Sequence, residues 1–307
     1  MSQPQATGRR FGVIALAGPP NAGKSTLFNA LVGERLAIIS DKPQSTQRPV
    51  TGLWTRQDTQ LLFLDPPGLF EPNSLLHHRM IAQARHCLRA AHGVIYLHPA
   101  DQGPPPAAPL PPDWIRERQR LRVVVSKADG LPATGRRDLM AQGVLPVVAT
   151  TGEGVETLLE WCREVAPPGP FRFGVDQAST LPLRFFAAES VRESAFELLS
   201  EELPYAIATE VEEFREGSTP TYVRIIIYVE RESQRRIVVG QGGQTIRALG
   251  TRARGRIEGL IGAPVFLDLW VKTLPKWRSR AASLDRLGYT RETGGDDELA
   301  ALVGGWS

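Results

Sequence analysis

Residues 18–25 read Gly18-Pro19-Pro20-Asn21-Ala22-Gly23-Lys24-Ser25, which fits the pattern G-x-x-x-x-G-K-[ST]. Such a loop can hold phosphate. Glycines let the backbone curl until several N–H groups converge on a β-phosphate, and the N-terminus of a following helix adds partial positive charge. Lys24 would reach the β- and γ-phosphate oxygens, Ser25 would set its hydroxyl on Mg2+, and Thr26 joins the same set. Further on, an apolar stretch ends in Asp65-Pro66-Pro67-Gly68. A carboxylate at that point suits Mg2+ through a water, and Gly68 leaves room for a γ-phosphate to draw on its N–H. Two later loops are placed to read a base, Ser126-Lys127-Ala128-Asp129 and Val148-Ala149. The carboxylate of Asp129 can accept paired hydrogen bonds from N1–H and the exocyclic amine of guanine. Adenine lacks that donor pair and would leave the carboxylate unsatisfied, so the residues favour GTP over ATP. Alone, Asp65 and Asp129 would read as turn residues before Pro66 and Gly130. Their order behind one phosphate loop favours the chemical reading.

These residues need elements to position them. Short apolar runs at 13–17, 61–64, 93–97, 121–125 and 144–148 predict strands. Thr26, Leu27, Ala30 and Leu31 predict a helix directly after the phosphate loop, and residues 77–91 and 114–120 are helix-compatible. Strands alternating with helices predict a mainly parallel α/β sheet. Residues 103–112 hold six prolines. They exclude a helix or a central strand there and read as a stiff surface loop rather than a polyproline ligand.

The second half changes character after the Pro/Gly-rich segment 166–170, with a linker running to about residue 182. A helix is predicted over 183–203. Val223, Ile225, Ile227 and Val229 share one strand face, as do Val265, Leu267, Leu269 and Val271. Trp270 alternates with the latter and reads as packing a second face rather than stacking on a base. Ile246, Leu249, Ala253, Ile257 and Leu260 recur at helical spacing. Together these make a small α+β domain. Gly240-Gln241-Gly242-Gly243 opens that helix, with Arg235, Arg236, Arg247, Arg252 and Arg254 nearby. Bare glycines before a helix N-terminus let a nucleic-acid backbone approach closely. Residues 1–8 and 291–307 read as loose tails.

Composition narrows the class. The chain has 307 residues, about two domains' worth, and is 42% hydrophobic and 22% charged, as globular proteins are. No apolar run reaches the ~18 residues of a membrane helix, and the first ten residues lack a signal-peptide core. Cys87 and Cys162 are the only cysteines, which excludes a disulfide scaffold, fits a reducing cytoplasm, and reads as two small buried side chains. His77 and His78 read as a solvated helix start. The net charge of +3 conceals two blocks: −7 over residues 189–216 and +8 over residues 231–280. The basic block points to a polyanion, a solvated helix face being the plain alternative.

Taken together the motifs resemble the Era family of bacterial GTPases. The resemblance rests on Gly18–Ser25, Lys42-Pro-Gln-Ser-Thr46-Gln-Arg48, Asp65–Gly68, Ser126–Asp129 and Val148-Ala149, then Glu202-Leu-Pro-Tyr-Ala206, Tyr228–Ser233, Ile237–Gly240, Leu267–Lys272 and Leu287-Gly-Tyr289. It implies an α/β P-loop GTPase domain at 9–168, a linker at 169–182, a smaller α+β type II KH domain at 183–290 and a tail at 291–307. It implies GTP/GDP and Mg2+ as cofactors, with Ser25, Thr46 and Asp65 on the metal and Lys24, Thr46 and Gly68 serving catalysis. It implies single-stranded RNA at Gly240, Gln241, Gly242, Gly243, Arg235, Arg236 and Arg247. The target would be 16S ribosomal RNA near its 3′ end during 30S subunit assembly. The implied protein is a monomer in the cytoplasm, with peripheral inner-membrane contact known in the family. The chain departs from the family pattern in the base loops and in the clamp, and at Leu69 it differs from Ras-like GTPases. Ser126 replaces the family's Asn and Val148 its Ser in the base loops, which predicts binding weaker by ~1 kcal/mol with guanine preference kept. Leu69 stands where Ras-like GTPases carry a water-orienting Gln, which predicts slow hydrolysis. Gln241 and Gly242 replace a basic pair in the clamp. The competing readings are an RNA-binding factor with a degenerate nucleotide site, and an ATPase on the same scaffold.

Overall fold

The computed structural model describes residues 8–217 and 219–289. The expected tail at 291–307 and most of the expected tail at 1–8 lie outside them. The first sheet is built from β1 (Arg10–Ala17), β2 (Val50–Arg56), β3 (Thr59–Asp65), β4 (Gly93–Pro99), β5 (Arg120–Ser126) and β6 (Leu145–Val147). Their order is β2-β3-β1-β4-β5-β6, with β2 antiparallel to β3 and every other pairing parallel. Strands β1, β3 and β4 are apolar along most of their length because both sheet faces are covered. On one face α1 (Lys24–Val32) and α4 (Val155–Val165) bury Leu27, Phe28, Leu31, Leu158 and Cys162; on the other α2 (Leu75–Ala90) buries Cys87 and Leu88. Each such side chain contributes about 1.5–3 kcal/mol by leaving water. Helix α3 (Ala133–Ala141) follows β5.

In the first domain the structure differs from expectation in β2 and in residues 114–120. Strand β2 falls outside the predicted apolar runs. Residues 114–120 are not a helix: a single 3-10 turn, Pro112–Trp114, leads into β5, which starts at Arg120. Pro111 holds the entry to that turn extended, and the Gln119 side chain donates to the Leu88 carbonyl at 2.7 Å and to that of Ala91, tying the segment to the end of α2. Leu110, the one buried residue of the proline-rich loop, helps to cover the sheet where a helix would otherwise lie.

In the second half, β7 (Ala208–Arg215) and β8 (Thr221–Val229) are antiparallel, and β9 (Val265–Thr273) joins β8 in parallel. Helices α5 (Leu183–Leu198) and α7 (Gln244–Ile261) cover one face, where Val191, Ala195, Leu249, Ala253 and Ile257 meet Val223, Ile225 and Val271. Helix α5 stops five residues before the expected Leu203. Leu199 is extended (φ −97°, ψ 150°) and ends the helix, and the chain then turns through Leu203–Ala206. Trp270 is 52% exposed on the open face, so its expected packing role is not found. Part of that face is covered by Trp277, Leu284 in α8 (Ala281–Arg286), Leu287 and Tyr289, which also reach Leu76 and Met80 of α2. The two charge blocks answer each other in part: Arg256 pairs with Glu193 at 3.1 Å, Arg252 with Glu197 at 3.2 Å and Lys272 with Glu212 at 3.1 Å.

Candidate functional site

The nucleotide-type residues gather at the carboxyl ends of the strands of the first sheet, where open α/β sheets bind ligands. The phosphate loop links β1 to α1, and Gly23 caps α1 without a side-chain hydrogen bond, so its first N–H groups remain available to an anion. Lys24 Nζ donates to the carbonyls of Pro19 (3.0 Å) and Gly18 (3.3 Å) and is buried with the loop. Asp65 ends β3 beside it. Ser25 Oγ donates to Asp65 Oδ2 at 2.7 Å and lies 3.0 Å from Thr46 Oγ1. Asp65 Oδ1 is buried with no hydrogen-bond partner. A Cβ added to Gly68 would fall 3.0 Å from Lys24 Nζ and 3.1 Å from the Pro20 backbone, so a side chain there would fill the space beside the phosphate loop. Mg2+ takes few protein oxygens and completes its shell with phosphate and water. Two hydroxyls and a carboxylate with one uncommitted oxygen fit that ion. Leu69 donates its N–H to the Gly18 carbonyl at 3.0 Å, which ties the segment after Gly68 to the phosphate loop.

Burial sets the charges. It pushes the Asp65 carboxyl up to about 6, with Lys24 and the neighbouring hydroxyls opposing it. It lowers Lys24 to about 8, Asp65 opposing. A buried cation and a buried carboxylate thus wait side by side for a charged ligand.

The base-reading loops border a cavity of about 570 Å3 that includes Ser126, Lys127, Asp129, Val148 and Ala149. Asp129 is exposed at this cavity. Ser126 is buried and its Oγ donates to the His98 carbonyl at 3.3 Å, away from any bracing of the phosphate loop. Val148 is buried in the domain core.

In the second half, Gly240–Gly243 forms the turn between α6 (Glu232–Val239) and α7. Gly240 has φ 74°, and an added Cβ would fall 2.3 Å from Thr245 Oγ1, so this turn requires glycine. Gln241 and Gly242 project into solvent. Arg236 and Arg247 are exposed, with no ion pair among the described residues. Arg235 is more committed, donating to Glu232 at 2.8 Å and to the Val271 carbonyl at 3.2 Å. Of the flanking arginines, Arg252 is drawn to Glu197 and Arg254 lies 4.0 Å from Glu258. His77 is not simply solvated: it meets Phe70 edge-on at 4.9 Å, and burial lowers its pKa.

Comparison with known proteins follows the same division. The family model of the 50S ribosome-binding GTPases matches residues 13–127, and that of the KH domain matches residues 202–278. GTPase Era of Nitratidesulfovibrio vulgaris is 37% identical over 306 residues, covering 94% of this chain and 97% of that protein. The chain belongs to the Era family of GTPases. GTPase Era of Carboxydothermus hydrogenoformans is 36% identical over 295 residues, covering 92% and 98%. Two solved Era structures, each 32% identical, superpose with TM-scores of 0.82 over 92% of this chain and 99% of theirs. One is Era in complex with MgGDPNP and nucleotides 1506–1542 of 16S ribosomal RNA; the other is an Aquifex aeolicus Era variant bound to GDP·AlF4−. Among the described residues no helix is long and apolar enough to cross a membrane.

What the local pattern missed is the placement of Thr46. Residues 42–48 carry no periodicity, yet the second domain holds them in position from more than 140 residues away.

Proposed function

We propose that this chain is a Mg2+-dependent GTPase switch whose KH domain engages 16S ribosomal RNA near its 3′ end in 30S subunit assembly. The convergence of Ser25, Thr46 and the uncommitted oxygen of Asp65 beside Lys24 carries the nucleotide half of this reading. The RNA half is supported by the Era complex with 16S RNA and by the glycine turn at the head of α7. We assign the G domain to residues 9–168, the linker to 169–182 and the KH domain to 183–290. Gly18–Thr26 surrounds the phosphates. Lys24 and the Gly68 N–H stabilise charge on the transferred group, and Ser25, Thr46 and Asp65 hold Mg2+, which neutralises phosphate charge when bound. Ser126, Lys127, Asp129, Val148 and Ala149 surround the base. Gly240–Gly243 admits the RNA backbone, with Arg236 and Arg247 as phosphate partners and Arg235 in support. We place the protein in the cytoplasm as a monomer, with membrane contact at most peripheral.

The test is displacement of a fluorescent GDP analogue by GTP, GDP, ATP and XTP, followed by GTP hydrolysis with and without the RNA. Displacement by guanine nucleotides alone, with hydrolysis above background, is expected. Equal displacement by ATP contradicts the guanine assignment. Failure to bind the analogue at all favours the degenerate-site reading, for which the departures at Ser126 and Val148 speak.

Two expected results arise directly from the site. Ser126→Asn tightens GDP by about fivefold, because a longer side chain regains one hydrogen bond worth ~1 kcal/mol that Ser126 spends on His98; the fluorescent titration reads it. The second concerns pH. Mg2+ requires the ionised Asp65, and with its carboxyl at about 6 the proton competes below that pH. The Mg2+ concentration that half-saturates GTP binding is expected to rise toward about tenfold per pH unit below 6 and to flatten above 7. The stability of the ligand-free protein runs the other way. A carboxyl raised in the folded state binds its proton more tightly there, so its contribution is lost as pH rises from about 4 to 6. Addition of Mg2+ and GTP should therefore raise Tm more at pH 7.5 than at pH 5.

A further inference from the structure

The segment that carries Thr46 is fastened to the second domain on both sides of that residue. Arg192 of α5 donates to the carbonyl of Ser45, immediately before Thr46. Immediately after it, Gln47 accepts a hydrogen bond from Tyr289 Oη at 2.7 Å. Arg48 pairs with Glu189 of α5 at 2.7 Å and lies 4.7 Å over the Phe185 ring. Lys42 donates to the Phe196 and Leu199 carbonyls at the end of the same helix. Glu189 holds Arg192 as well, accepting from its Nε at 3.1 and 3.2 Å. Glu189 and Arg192 are both buried, at 5% and 2% exposure, as is Gln47 at 3%. Between these anchors Thr46 Oγ1 stands 3.0 Å from Ser25 Oγ. A forked guanidinium locked by a buried carboxylate fixes a backbone carbonyl more narrowly than a flexible ammonium would.

We propose that Arg192, backed by Glu189 and assisted by Tyr289, is a positioning residue that holds Thr46 for Mg2+ and the γ-phosphate, so that the second domain completes the GTP-selective half of the nucleotide site. The inference rests on the GTP-switch reading. GDP is held by the phosphate loop and base loops, which Arg192 does not touch. Loss of Arg192 therefore weakens triphosphate binding selectively. By linkage, whatever shifts α5 against the first domain alters GTP affinity, and GTP acts on α5 by the same factor.

The test uses the full chain with Arg192→Met and Tyr289→Phe. Arg192→Met leaves Glu189 paired with Arg48, so no buried carboxylate is stranded. Tyr289→Phe keeps the ring and removes only the hydroxyl. Equilibrium affinities for GDP and for a non-hydrolysable GTP analogue are measured with and without Mg2+. With Mg2+, the analogue is expected to weaken by about tenfold in Arg192→Met and about threefold in Tyr289→Phe, as loss of a charge-assisted or neutral hydrogen bond predicts. GDP should stay within about twofold. Removing Mg2+ should erase the difference, and Arg192→Lys should restore part of it. Equal losses for GDP and the analogue, or no loss in either variant, overturn the proposal while the GTP-switch reading stands. If Arg192→Met fails to fold, Tyr289→Phe decides by the same ratio. A wild-type chain that binds neither nucleotide overturns the switch reading and this inference with it.

Discussion

Lys24→Ala is expected to lower GTP and GDP affinity by more than about a hundredfold, the loss of a buried charge contact worth ~3 kcal/mol or more. Lys24 is already dehydrated, with only 6% of its surface exposed, and its ammonium is held against the Gly18 and Pro19 carbonyls beside Asp65. The desolvation of this cation is borne in folding, so its attraction for phosphate is felt almost undiminished. Alanine removes that charge and leaves the Asp65 carboxyl with no cation to oppose its burial. The fluorescent GDP titration measures the loss. RNA affinity in the absence of nucleotide serves as the control and should stay within about twofold, because the KH turn lies on α6 and α7 in the other domain. A Lys24→Ala protein that keeps wild-type GDP affinity would remove the phosphate loop from the account.

Asp129→Asn is expected to exchange the base preference. A carboxylate offers two acceptors to the two donors of guanine, N1–H and the 2-amino group. A carboxamide offers one acceptor and one donor, so one guanine donor faces an N–H. Xanthine carries a carbonyl at that position and satisfies the carboxamide. GTP should weaken by about a hundredfold and XTP should become the better competitor, since mismatched hydrogen bonds at a reading site are worth several kcal/mol. Asp129 stands exposed beside the 570 Å3 cavity and is free to meet a base. Competition of XTP against GTP for the fluorescent analogue decides it; an unchanged preference for GTP would mean that another group reads the base.

The parts of the site that were legible in the sequence are those whose chemistry is local. A phosphate loop must follow a strand and open a helix, so eight consecutive residues carry both the fold and the function there. Asp65 and Asp129 were legible because each ends or follows a short apolar run. Strand β7 was hidden by its own charge: Glu210, Glu212 and Glu213 break any apolar alternation, and pairing with β8 decides the matter. The stretch 114–120 has the composition of a helix, but Gln119 is tied to Leu88 of α2, 31 residues back. Trp270 shows the limit of alternation, which gives two strand faces without saying which one another element covers. The same holds for charge. The basic block looked like a polyanion site as a whole, yet Arg252 and Arg256 answer Glu197 and Glu193 on α5, leaving Arg236 and Arg247 beside the glycine turn. The hydrogen bond from Arg192 to the Ser45 carbonyl, beside Thr46, joins residues 147 positions apart and leaves no local trace.

A switch requires that the nucleotide and RNA sites exchange free energy. The most direct measurement is the affinity of the full chain for a single-stranded RNA of the 16S 3′ end, with Mg2+ and a non-hydrolysable GTP analogue and again with GDP. RNA affinities that differ by several-fold are expected, with the ratio of GTP-analogue to GDP affinity shifting by the same factor when RNA is saturating. Equal RNA affinity in the two nucleotide states would contradict the switch.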